Sequence, residues 1–113
     1  MMDATRTQPS GSTRYDDHVA RTTHAVLDSS GVTPNALRWA AFHGRLAELP
    51  VELKSYVEKV AKHAYRVTDA DIEALKRAGH SEDAIFEVTA AAALGAAILR
   101  LERGLIILNE SGP

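Results

Sequence analysis

The stretch VELKSYVEKVAKHAYRV, residues 51–67, decides the fold. Leu53, Tyr56, Val57, Val60, Ala61, Ala64 and Val67 recur at i, i+3, i+4, i+7, i+8, i+11 and i+14. That is one continuous apolar stripe at helical period. Pro50 opens this helix, since a proline in the first turn sacrifices no backbone hydrogen bond. No segment carries a strand pattern of comparable strength, so the sequence predicts an all-α protein.

Downstream of the stripe, Thr68 reads as an N-cap with Asp71 three residues on, an aspartate form of the capping box. Ile72 and Leu75 face inward before Gly79 ends this short helix. Ser81 caps the last helix, whose first turn holds Glu82 and Asp83 and which runs to about Leu108. Its middle, TAAAALGAAILRL, is apolar nearly all round and built largely of small residues. Such a helix belongs in a central core position or at a subunit interface.

Upstream, Thr33 reads as an N-cap with Pro34 at the first helical position. The helix that follows places Leu37, Ala40, Ala41 and Leu46 inward, with Trp39 and Phe42 in core or interface, and is expected to end near Leu49. An earlier helix over residues 14–27 gathers Val19, Ala20, Thr23, Val26 and Leu27 on one face. Asp16 and Asp17 lie at its positive end. Residues 1–13 are polar and are expected to form a flexible tail, leaving residues 14–113 as one helical domain.

Composition sets the outer limits. The chain has 113 residues, 13 Lys+Arg and 15 Asp+Glu, with a formal net charge of −2 and no basic block to hold nucleic acid. The longest uncharged apolar run, residues 90–99, is ten residues long, where a membrane span needs about 20. The N-terminus lacks the apolar run of a secretory signal, so a soluble cytoplasmic protein of bacterial type is expected. There is no cysteine, which excludes disulfides, thiolate metal sites and thiol catalysis within the chain. The five histidines form no metal-binding spacing, and no metal or cofactor is expected.

One flank of the helix over residues 51–67 carries the chemistry. Glu52, Tyr56, Lys59 and His63 cluster where core meets solvent, at i, i+3 and i+4 spacings. A carboxylate, a phenol and an imidazole on one border are the parts of a proton relay. They also suit a plain amphipathic boundary, with the tyrosine reaching out and the charges solvated.

The passage AGHSEDAIFE, residues 78–87, followed by the alanine-rich helix to Leu105, resembles the alkylhydroperoxidase D-like (AhpD-like) and carboxymuconolactone decarboxylase family. The resemblance covers about half of the chain, from Leu53 to Leu105. It implies a bundle of about five helices with a long C-terminal helix, assembled as a homo-oligomer, a trimer or a hexamer. Redox members carry a C-x-x-C pair, a histidine four residues later and an upstream glutamate. Aligned on Gly79, the two cysteine positions fall on Ala64 and Val67, the histidine on Asp71 and the glutamate on Glu52. Thiol peroxidase and disulfide exchange therefore do not carry over.

What the resemblance leaves is a non-redox protein that binds a small molecule or serves as an assembly module, with a pocket framed by Glu52, Tyr56, His63 and Asp71. The alternative is a cysteine-independent acid–base enzyme, of decarboxylase or lactone type, acting on a small carboxylated substrate. Glu52 or His63 would move the proton and Tyr56 would orient the substrate. A working cleft between the third and fourth helices would hold Glu52, Tyr56 and His63 at its rim, with Glu52 partly buried and its pKa raised. The competing expectation is a Glu52 exposed in the first turn and stabilised by the helix dipole.

Overall fold

The computed structural model describes residues 10–110, and over that range it is all-helical with no strand. Five α-helices follow in order: α1 (Ser10–Leu27), α2 (Asn35–His43), α3 (Val51–His63), α4 (Asp69–Arg77) and α5 (Glu82–Glu110). Short 3-10 turns, Leu46–Glu48 and Ala64–Arg66, lead into α3 and out of it. The first helix starts at Ser10, four residues ahead of its expected start. Residues 10–13 hold no proline, and extending a formed helix costs little per residue. Asp16 and Asp17 thus lie beyond the first turn, which holds no acid. The expected tail over residues 1–9 falls outside the described residues.

Leu53, Tyr56, Val57 and Val60 of the stripe are buried against Ile85, Val88, Ala91 and Ala92 of α5. Leu27, Ala40, Ala41, Leu49 and Leu75 complete the core. The small residues of α5 have a structural reason. A Cβ on Gly95 would stand 1.9 Å from the Phe42 carbonyl oxygen, so α2 and α5 touch backbone to helix there. Only glycine permits that approach.

Three local expectations are corrected. The helix expected over residues 51–67 ends at His63, whose φ of −144° leaves the helical region, and Ala64 is exposed. The chain must turn here to set Thr68 at the head of α4, and that reversal overrides the apolar period. The second helix ends at His43 rather than near Leu49. Gly44 takes the left-handed conformation at φ 68°, Arg45 N–H donates to the Ala40 carbonyl (2.9 Å) and Gly44 N–H to that of Ala41 (3.2 Å). This is a Schellman closure. Thr33 is not the cap of α2: Pro34 holds that position without a side-chain cap, and the Thr33 hydroxyl donates to Glu87 instead.

The capping box of α4 forms as the sequence reads: Thr68 N–H donates to Asp71 Oδ2 (2.9 Å). Ser81 Oγ accepts the Ala84 amide at the head of α5 (3.1 Å). Trp39 is half-buried and fixed by its indole N–H, which donates to Asp28 Oδ1 (2.8 Å). Arg38, which no sequence pattern marked, is 2 % exposed. Its guanidinium donates to the carbonyls of Val26 (3.1 Å), Ser29 (2.8 Å) and Thr33 (3.4 Å) and to Asn35 Oδ1 (2.5 Å). It ties the end of α1 and the following loop to α2 through oxygens alone.

The long helix has two apolar faces. Ile85, Val88, Ala91, Ala92 and Gly95 are turned into the bundle. On another side Leu94, Ile98, Leu101, Leu105 and Leu108 recur at spacings of 4, 3, 4 and 3. At 100° per residue that stripe lies roughly a third of a turn from the buried face. Leu105 is 40 % exposed and Leu108 is 68 % exposed. Nothing else among the described residues covers them.

Candidate functional site

Where α3 runs past α4, a cavity of about 110 Å³ opens between them, lined by Glu52, Ser55, Tyr56, Lys59, Asp71, Ala74 and Leu75. Two charged pairs frame it. Lys59 Nζ lies 3.0 Å from both carboxylate oxygens of Asp71. The His80 ring nitrogen Nε2 donates to Glu52 Oε2 at 3.1 Å.

Asp71 serves the fold and the site together. Its carboxylate closes the capping box on Thr68 and accepts Lys59. The backbone amide of Thr68 first, and the Lys59 ammonium second, hold its pKa below the ordinary carboxylate value. As an acceptor with both oxygens committed, Asp71 fixes Lys59 across the cleft.

Tyr56 is 5 % exposed, and its hydroxyl lies 2.6 Å from Thr89 Oγ1 on α5. The Thr89 hydroxyl itself donates to the Ile85 carbonyl (2.6 Å). Thr89 has one proton to give, so in this pair Tyr56 donates and Thr89 accepts. The phenol is thereby pinned to α5, and its ring forms a wall of the cavity.

Glu52 is exposed in the first turn of α3. Its pKa is lowered, not raised: its own backbone amide is the largest cause and the bond from His80 the next. The expectation of a desolvated, raised Glu52 is corrected on this point. The carboxylate sits at the amide-rich end of a helix, where negative charge is stabilised.

The cleft thus brings together Glu52, Tyr56 and Asp71 and leaves His63 out. His63 is exposed at the far end of α3, edge-on to Tyr65 with ring centroids 6.1 Å apart. His80, which lies between the helix end at Gly79 and the cap at Ser81, supplies the imidazole. Gly79, at φ 105°, turns the chain between α4 and α5 and delivers His80 to the mouth of the cleft. Glu52 and His80 are 28 residues apart, so no local spacing signals the pair.

Chemically, an ionised carboxylate holding an imidazole orients the ring and fixes which nitrogen carries the proton. The Lys59–Asp71 pair supplies a positive group flanked by an acceptor. Ala64 and Val67 lie outside the cavity lining, Ala64 exposed in the turn after α3 and Val67 half-buried. No group of three or more metal-binding side chains occurs among the described residues. Comparison with protein-family models, with curated proteins and with solved structures returns no match for this chain.

Proposed function

We propose that this chain is a non-redox assembly module of AhpD-like type, which associates with further copies of itself through the outward stripe of α5. The observation that carries the reading is the exposure of Leu101, Leu105 and Leu108 on the outer half of α5, a helix whose inner half is already in the core. A contiguous apolar surface of this kind marks an interaction site. A stripe at alternating spacings of 3 and 4 fits best against a second helix of the same pattern. The resemblance favours a trimer or a hexamer.

The same helix is long and apolar enough, by length and composition, to cross a membrane. A protein partner is the better reading. Glu87, in the first half of α5, is bonded to Val32 and Thr33, and spanning a bilayer would pull it out of the bundle. Light scattering on the purified chain tests the assembly. The expected result is a defined oligomer that dissociates in a Leu101→Glu, Leu105→Glu variant with unchanged helicity in the bundle. A wild-type chain that stays monomeric at all accessible concentrations overturns it.

A second reading, cysteine-independent acid–base chemistry, is favoured by the Glu52–His80 pair at the mouth of the cleft. His80 takes the place expected of His63 as the group that moves the proton. A small carboxylated substrate would meet the Lys59 ammonium. Turnover of a lactone or a β-keto acid, lost in Glu52→Gln and His80→Gln but kept in His63→Gln, supports this reading. Equal activity in all three variants rejects it.

A further inference from the structure

A second and larger groove lies on the opposite side of α3, between the C-terminal end of α2 and the middle of α5. Its volume is about 320 Å³, within the range of small-molecule sites. We infer that this groove binds a small amphipathic anion, a fatty-acid-like carboxylate with an aliphatic body. The inference uses neither the outward leucine stripe nor the α3–α4 cleft, and it rests on the chemistry of the groove walls.

The floor is apolar: Phe42 from α2, and Ala92, Ala96 and Leu99 from α5. The alanines leave space where larger side chains would fill it. These surfaces offer no hydrogen bond, so a polar body seated on them would leave its groups unpaired. The ligand body must be hydrocarbon.

The rim is cationic. Lys62, Arg100 and Arg103 line the groove beside the His43 ring, and neither Asp nor Glu does. Lys62 is partly neutralised by Glu58 at 3.0 Å. Arg100 donates one N–H to the Ala61 carbonyl (2.6 Å), which fixes the guanidinium at the wall and leaves its other donors open. Arg103 has no hydrogen-bond or ion-pair partner among the described residues. Arg100 and Arg103 stand at i, i+3 on α5, so both residues lie on the side of the helix that lines the groove. Two guanidinium groups beside a hydrocarbon trough match a carboxylate head on an alkyl chain.

Trp39 is the single tryptophan of the chain, and its ring stacks on His43 at 5.6 Å. Its emission therefore reports on the groove. Decanoate, kept below its micelle concentration, is titrated into the full chain, with decanol and decyltrimethylammonium as matched controls. The expected result is a saturable change with decanoate and about tenfold or weaker binding of both controls, tenfold being about 1.4 kcal/mol. Arg103→Gln is expected to weaken decanoate about tenfold, and Ala96→Leu to abolish the response, both with wild-type circular dichroism. The proposal is overturned by equal binding of decanoate and decanol, or by binding unchanged in Arg103→Gln. It is likewise overturned if decanoate gives no saturable change, if only phosphatidylglycerol vesicles do, or if Ala96→Leu alters the oligomeric state and leaves decanoate binding intact.

Discussion

Glu87 caps, from 54 residues away, the chain that leads into α2: its Oε1 accepts both the amide (2.9 Å) and the hydroxyl (2.5 Å) of Thr33. Its Oε2 accepts the amide of Val32 (2.9 Å). The Thr33 side chain, expected to accept the first amides of α2, instead gives its proton to a carboxylate from another helix, and α2 starts without a side-chain cap. The approach is close, since a Cβ on Gly31 would fall 2.6 Å from Glu87 Oε2.

Replacing Glu87 by Gln leaves one amide acceptor where three donors converge and turns an NH₂ group toward one of them. The expected loss is about 1–3 kcal/mol of folding stability, read from urea unfolding. The pKa of Glu87 is lowered, first by the Thr33 hydroxyl bond. With the folded value below the unfolded one, its contribution is present above the unfolded pKa and is lost as pH falls through the folded pKa. The melting temperature of the wild type should fall more steeply on acidification than that of Glu87→Gln. Parallel curves would contradict this account.

Gly95→Ala probes the crossing of α2 and α5. An added methyl would overlap the Phe42 carbonyl, which is backbone and cannot rotate away. The helix-propensity gain of alanine over glycine, about 1 kcal/mol, is expected to be outweighed by overpacking of roughly 1–3 kcal/mol or more. Chemical denaturation should show a net destabilisation, whereas a stabilised variant would mean that the helices do not touch here.

Tyr56→Phe removes the bond donated to Thr89 but leaves Thr89 bonded to Ile85. A modest loss of about 0.5–1.5 kcal/mol is expected, with the cavity wall intact. Thr89→Val strands the buried phenol and should cost more. The order of the two effects in paired unfolding curves is the check.

His80→Ala tests the pair at the mouth of the cleft. The bond from His80 is the second cause of the lowered Glu52 pKa, after the backbone amide of Glu52 itself. Removing the imidazole should move the Glu52 titration upward, part of the way to the ordinary glutamate value, in carboxyl-detected NMR. His63→Ala should leave it where it is.

Features governed by near neighbours could be read from the sequence. The Thr68–Asp71 box and the Ser81 cap span three residues and form as expected. The apolar stripe held through Val60 because those residues meet α5. It failed at Ala64, where reversal of the chain toward α4 outweighed period. Of the site, Glu52 and Tyr56 could be placed from spacing along α3, whereas Asp71 read from spacing as a capping residue and joined the pocket only through the family resemblance. His80 could not, because only the packing of the α4–α5 turn beside α3 brings it to Glu52. Arg38 was hidden for a similar reason: its partners are mostly backbone carbonyls, which leave no mark in a sequence.

The outer half of α5 has a thermodynamic consequence. Past the crossing at Gly95 the helix runs on for about four turns, and every residue from Leu99 to Glu110 is exposed. A helical segment of that length is marginal in water without tertiary support. In a lone chain its amides should exchange quickly with solvent while those near Val88 are protected. On association they should slow together. Order in this segment would then depend on protein concentration, with folding of the helix end and encounter between copies forming one linked equilibrium.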